Sequence, residues 1–316
     1  MTARQITRQQ HRGEHGTVKT ESRSRATAVA AGALALIAVV SGCSSSSSGG
    51  GANAAPAPTG AAADNPSAGA SPAAPGSPAA GGAVSAAAWA KWKLQPLPAP
   101  PAPPADKPIK LTKTGQVPVF SSVPTTDKVV FVTIDDGQEK DPKFIDMMND
   151  LKIPITMFLM DDAIKSDYGY FKPLQAAGNS IQNHTLHHPA MSTKTFDQQK
   201  QEVCGDQQVL TKEYGTAPFL FRPPYGDGAN TANLNNAVQQ CGPRAVVLWR
   251  ETMQIHDMQY QGAKQLHPGD IILVHFRGPK DLKGETMTEM FGELLSRIQE
   301  QGFAVARLDD YIQPPS

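Results

Sequence analysis

From about Val119 onward, short apolar runs alternate with longer amphipathic stretches. Lys128–Ile134 (KVVFVTI) predicts a β-strand ending in Asp-Asp-Gly, and Ile155–Met160 predicts a second, buried strand. Pro142–Leu151 between them has helical spacing, as has Ala163–Ala177, which ends near Gly178. Ser180–Gln182 begins a short strand that runs into a histidine-rich turn, followed by a long helical stretch, Phe196–Tyr214, closed by Gly215. Phe219–Arg222 reads as a strand stopped by two prolines, Thr231–Gln240 as a helix, and Ala245–Trp249 and Asp270–Phe276 as strands. Thr286–Gln301 is a helix stopped by Gly302, and Phe303–Leu308 a last strand. About seven strands interleaved with helices predict an α/β domain with a mainly parallel sheet, open or closed into a barrel.

Upstream the pattern is different. Residues 1–25 are polar and basic, and Ala26–Val40 is apolar apart from Thr27 and Gly32. About 20 residues are needed to span a membrane, so this run suits the apolar region of a secretory signal. It ends in Val39-Val40-Ser41-Gly42-Cys43, which resembles a bacterial lipobox. Lipidation of Cys43 would then anchor the chain on the outer face of the cell membrane; an ordinary signal peptide with an incidental cysteine is the alternative. In residues 44–117, Ala, Pro, Gly and Ser fill 52 of 74 positions, too little apolar surface to offset ordering entropy. The expected organisation is therefore a signal with lipobox over 1–43, a disordered linker over 44–117 and a folded domain over 118–316. Trp89 and Trp92 interrupt the linker. They read first as residues resting on the domain, and second as a docking or glycan-contact element.

Charge narrows the partners. Lys+Arg and Asp+Glu are 29 each, but residues 118–316 carry 18 basic and 25 acidic side chains. A net-acidic domain argues against DNA, RNA or other anionic polymers as tightly bound partners.

Residues with chemistry gather where the predicted strands end. Asp135 and Asp136 follow the first strand, His184 and His188 the third and Arg222 the fourth, while His275 lies near the end of a late strand. In parallel α/β folds those ends share one side, where active sites are built. His184 and His188, at i and i+4, would face one way on a helical turn and could reach one metal ion. Asp136 would complete a two-histidine, one-carboxylate set with open positions. By itself, Asp135-Asp136-Gly137 also reads as a polar turn capping the next helix.

Taken together these segments resemble the polysaccharide deacetylase family (carbohydrate esterase family 4, NodB-homology domain). The matching motifs are Thr133-Ile134-Asp135-Asp136-Gly137, His184-Thr185-Leu186-His187-His188, Arg222-Pro223-Pro224-Tyr225-Gly226, and the apolar strand from Pro268 to His275. The resemblance covers about 118–316 and implies a distorted (β/α) barrel with a groove across its top. It implies that Asp136, His184 and His188 bind a divalent metal, usually Zn2+, and that Asp135 is the general base. It further implies that Arg222 orients Asp135, that the backbone N–H of Tyr225 helps stabilise an oxyanion, and that His275 is the general acid. Leu273 would line a pocket for the acetyl methyl. The implied reaction removes N-acetyl groups from amino sugars of a cell-wall or chitin-like polysaccharide.

One motif departs. In the family, the segment after the fifth strand carries an Asp that tunes the catalytic histidine; here Thr252 takes its place, with Glu251 and Asp257 as possible substitutes. A catalytically impaired, glycan-binding pseudoenzyme is therefore one alternative, and a deacylase of small amides or esters another. Cys204 and Cys241, on predicted helices flanking the Arg222 strand, either form a disulfide or remain free thiols.

Overall fold

The computed structural model describes residues 84–315. The expected signal with its lipobox at Cys43 and residues 44–83 of the expected linker lie outside the described residues.

In chain order, the first elements are helix α1 (Ala86–Lys91) and strands β1 (Ile109–Lys110), β2 (Val119–Phe120) and β3 (Val129–Asp136). Next come α2 (Pro142–Leu151), β4 (Ile155–Leu159), α3 (Asp161–Ile164), α4 (Phe171–Ala176), β5 (Ser180–Asn183) and α5 (Phe196–Tyr214). Then follow β6 (Leu220–Phe221), α6 (Ala232–Cys241), β7 (Ala245–Val247), β8 (Glu251–Gln254) and β9 (Asp257–Tyr260). The chain finishes with β10 (Ile271–His275), α7 (Met287–Glu300), β11 (Ala304–Val305) and β12 (Ile312–Gln313).

The main sheet runs β2-β7-β6-β5-β4-β3-β10-β8-β9, with β11 added beside β3. Every pair is parallel except the β8–β9 hairpin. This is a curled, parallel-rich half-barrel: the α/β alternation predicts the parallel sheet, and the family resemblance implies its barrel-like curl. Side-chain alternation along β3 sorts the core. Val130, Val132 and Ile134 join a cluster with Phe144 and Met148 of α2 and Phe291 and Leu294 of α7. Val129 and Phe131 join a second cluster with Phe158, Ile271, Leu273 and Trp249 on the inner face. Thr133 and Asp135 therefore also point inward. The register pairs Leu273 with Thr133 and His275 with Asp135, placing the expected acid beside the expected base.

Local chemistry fixes the helices. Asp141 caps α2 by accepting from Lys143 N–H, and its other oxygen accepts from Thr288, tying α2 to α7. Capping boxes start α5 (Thr195, Gln198) and α7 (Thr286, Glu289), and Gly215 ends α5 in the left-handed conformation. Cys204 and Cys241 form a disulfide joining α5 to the end of α6.

The linker boundary needs correction. Residues from Val84 onward pack on the domain: Trp89 is buried, and Lys91 and Trp92 both hydrogen-bond Asp150 of α2. Ile109, Leu111 and Val117 are buried, and β1 pairs with β12. A few large apolar groups anchor this proline-rich stretch despite its composition. Two elements also differ from the periodicity. The helix expected over Ala163–Ala177 is broken into α3, a single 3₁₀ turn (Tyr168–Tyr170) and α4. The strand expected over Phe303–Leu308 is confined to Ala304–Val305, with a 3₁₀ turn at Leu308–Tyr311 before β12.

Candidate active site

Asp135 and Asp136 end β3, and Asp136 has a positive φ of 73°. Thr185 (76°), His188 (56°) and Tyr225 (61°) share this left-handed backbone, so four non-glycine residues of one site hold an uncommon conformation. The segment 184–188 is a loop and not the expected helical turn, because Thr185 and His188 cannot continue a right-handed helix at those angles. The loop is pinned instead by side chains. Asn183 accepts from Thr185 N–H, and the Thr185 hydroxyl accepts from His188 N–H. The two imidazoles still converge, their ring centres 5.0 Å apart.

One oxygen of Asp136 lies 3.5 Å from His184 Nε2 and 3.3 Å from His188 Nε2. That oxygen is buried and has no hydrogen-bond partner among the described residues. The ligand atoms of Asp136, His184 and His188 all lie within 4.8 Å of one another. His184 Nδ1 is 2.7 Å from the Arg222 carbonyl, so it donates there and leaves the Nε2 lone pair facing Asp136. An orphaned carboxylate oxygen facing two imidazole nitrogens fits a divalent cation. Electrostatics agree. Burial alone would push the Asp136 carboxyl up, but His184, His275 and His188 outweigh it and hold it well below the usual carboxylate range. Burial, then the His184 charge, lowers His188 to about 4, which leaves that imidazole neutral near pH 7. His184 sits above its ordinary value because Asp135 and Asp136 outweigh its burial.

Asp135 is held by Arg222, whose Nη1 donates to Oδ1 at 2.6 Å. Arg222 is fully buried. It also donates to the Thr133 hydroxyl and to the carbonyls of Val247 and Leu248, and its guanidinium lies 4.2 Å from the Phe158 ring centre. A buried cation with this many acceptors is a fixed positioning device for Asp135. Burial nonetheless raises the Asp135 carboxyl above its ordinary value, Arg222 opposing. A carboxylate with raised basicity suits proton abstraction.

A cavity of about 330 Å³ opens beside these groups, lined by Asp135, His184, His188, Tyr225, Leu273 and His275 among others. Every sequence-predicted site residue within the described part thus converges on one place, with Asp136 and Arg222 outside the cavity lining but in contact with it through His188 and Asp135.

Residues 122–246 match the polysaccharide deacetylase family profile. The chain is 39% identical over 197 residues to the uncharacterized protein SCO4760 of Streptomyces coelicolor, an alignment covering 62% of this chain and 77% of the relative. The chain belongs to the polysaccharide deacetylase family. Peptidoglycan-N-acetylmuramic acid deacetylase PdaA of Bacillus subtilis is 26% identical over 198 residues, 59% of this chain and 72% of that protein. Among solved structures, the Bc1960 peptidoglycan N-acetylglucosamine deacetylase superposes with a TM-score of 0.52 at 22% identity, covering 64% of this chain and 94% of that one. This likeness supports the fold.

Where this polysaccharide deacetylase departs from the family motif, none of the candidate side chains hydrogen-bonds His275 among the described residues. Thr252 donates to the Leu273 carbonyl and serves the β8–β10 ladder. Glu251 is buried facing Asp270 at the foot of β10, and Asp257 is exposed. Among the described residues no side chain hydrogen-bonds or ion-pairs with the His275 imidazole. Burial, then the Arg277 charge, lowers His275 to about 3.

The sequence reading missed Asp206. This buried carboxylate on α5 accepts from His184 N–H at 3.1 Å, and burial raises its pKa well above the ordinary value. The signal was a polar residue on the apolar face formed by Val203, Leu210 and Tyr214. A second His/Glu group, His256, Glu285 and Glu293, lies near the surface, where the imidazole bridges the two carboxylates.

Proposed function

We propose that this protein is a divalent-metal-dependent deacetylase acting on N-acetylated amino sugars of cell-wall peptidoglycan. We propose further that it works lipid-anchored through Cys43 on the outer face of the cell membrane. The observation that carries the enzymatic reading is the convergence of Asp136, His184 and His188 beside the Asp135–Arg222 pair, with His275 across the same cavity. Membership of the family and the likeness to PdaA support the substrate class.

Asp136, His184 and His188 would hold the cation, and two imidazoles with one carboxylate suit Zn2+. When bound, the cation supplies Lewis acidity, lowering the pKa of a water and polarising the acetamide carbonyl. Asp135, held in place by Arg222, takes a proton from the attacking water. The backbone N–H of Tyr225 donates to the carbonyl oxygen as it gains charge. Leu273 packs against the acetyl methyl, and the proton that Asp135 takes reaches the departing nitrogen through His275, whose imidazole accepts it and passes it on. The C–N bond breaks, and acetate and a free amine leave.

Incubating the zinc-loaded chain with acetylated peptidoglycan strands tests this. Acetate should appear, and it should be abolished by a chelator and restored by metal. Retention of the glycan with no acetate would favour the second reading, a glycan-binding protein of impaired catalysis. His275 favours that reading, having no hydrogen-bonded or ion-paired side chain at its imidazole among the described residues.

A further inference from the structure

Two residues beyond His275, Arg277 lines the cavity with Tyr225, Trp249 and His275. It is half-buried, and among the described residues no hydrogen bond or ion pair engages its guanidinium. A half-buried arginine on a cavity wall whose guanidinium is not engaged by the protein can receive an anion from the cavity. Lys283, exposed on the same loop, adds a second cation to the lining. Of the two carboxylates that line the cavity, Asp135 is occupied by Arg222, and Asp281 forms no ion pair with Arg277 or Lys283. The surrounding domain is net acidic, so this cationic wall does not continue a basic surface.

We propose that Arg277 reads a carboxylate on the substrate. The site then prefers an N-acetylated amino sugar that bears a carboxylate near its acetamide, as the lactyl-substituted sugar of peptidoglycan does, over the neutral N-acetyl sugars of chitin-like polymers. The planar guanidinium fork matches a carboxylate with two parallel hydrogen bonds. This assignment rests on the deacetylase reading and narrows it.

The test compares acetate release by the zinc-loaded full chain from three glycans: neutral N-acetylglucosamine oligomers, muramic-containing strands with free lactyl carboxylates, and the same strands after carboxyl amidation. A charged hydrogen-bonded pair corresponds to about 10–100-fold in affinity. The wild type should favour the carboxylate strand in kcat/KM by about that factor, mostly through KM, and amidation should remove the preference. Arg277→Gln should lose the same preference, and Arg277→Lys should keep part of it. Indifference of the wild type to amidation, or an unchanged ratio in Arg277→Gln, overturns the proposal. Should no glycan release acetate, the deacetylase reading fails separately. Calorimetric binding of the carboxylate strand then decides: affinity about tenfold weaker in Arg277→Gln upholds the role of Arg277, and equal affinity overturns it.

Discussion

Glu251→Gln should stabilise the protein at neutral pH, by an amount that grows with pH. Glu251 is 1% exposed on β8, and one of its carboxyl oxygens has no hydrogen-bond partner. Burial, then the facing charge of Asp270, pushes its pKa from 4.5 up to about 9. The unfolded chain releases this proton near the ordinary value, while the folded chain keeps it until about pH 9. A carboxyl raised in this way contributes fully below its unfolded pKa, and the contribution is lost as pH climbs toward the folded one. The slope is about 1.4 kcal/mol per pH unit, so the accumulated loss at pH 7 is roughly 3 kcal/mol. Glutamine keeps the shape, can donate its amide to Asp270 and does not ionise. Urea unfolding of both proteins at pH 5, 6, 7 and 8, with the disulfide intact, measures the gap. It should be small at pH 5 and approach roughly 3 kcal/mol by pH 7, a rise of several degrees in Tm. A gap that stays constant or shrinks with pH would refute the reasoning.

Asp135→Asn should lower kcat for acetate release by about 10²–10⁴-fold while metal content, measured by atomic emission, stays at the wild-type level; loss of the metal instead would place Asp135 among the ligands. Replacing Cys204 and Cys241 together by Ser opens a link between residues 37 apart and should cost about 2–4 kcal/mol in thermal unfolding, with reductant then having no further effect. Trp89→Ala removes the buried anchor of α1, so limited proteolysis should cut between residues 84 and 108 much faster while acetate release is retained; unchanged cleavage would mean that the Asp150 contacts suffice.

Much of the site was legible because its residues sit at strand ends, where a change from apolar run to Asp, His or Arg is visible in one dimension. Alternation along β3 even foretells that Thr133 and Asp135 share a face, since β-strands have a period of two. What stayed hidden depends on partners distant in sequence. The hairpin of Glu251–Gln254 and Asp257–Tyr260 is mostly polar, so its pattern does not announce strands, although β8 is nearly all buried. Asp206 looks like an ordinary helical acid until the His184 backbone is placed against it. Composition hid the packed stretch from Val84, because a single Trp, Ile or Leu finding a pocket does not register in a count of alanines and prolines. The two imidazoles converge as their i, i+4 spacing predicts, but a loop with two left-handed residues brings them together in place of one turn of helix.

The claim on which the rest depends is that Asp136, His184 and His188 share one cation. A crystal structure of the protein grown with Zn2+ tests it directly. The account predicts one ion about 2.0–2.2 Å from Nε2 of both histidines and from a carboxylate oxygen of Asp136, with His184 Nδ1 still donating to the Arg222 carbonyl. Zinc held elsewhere, at His256, Glu285 and Glu293 for example, with nothing between Asp136 and the two imidazoles, would contradict it.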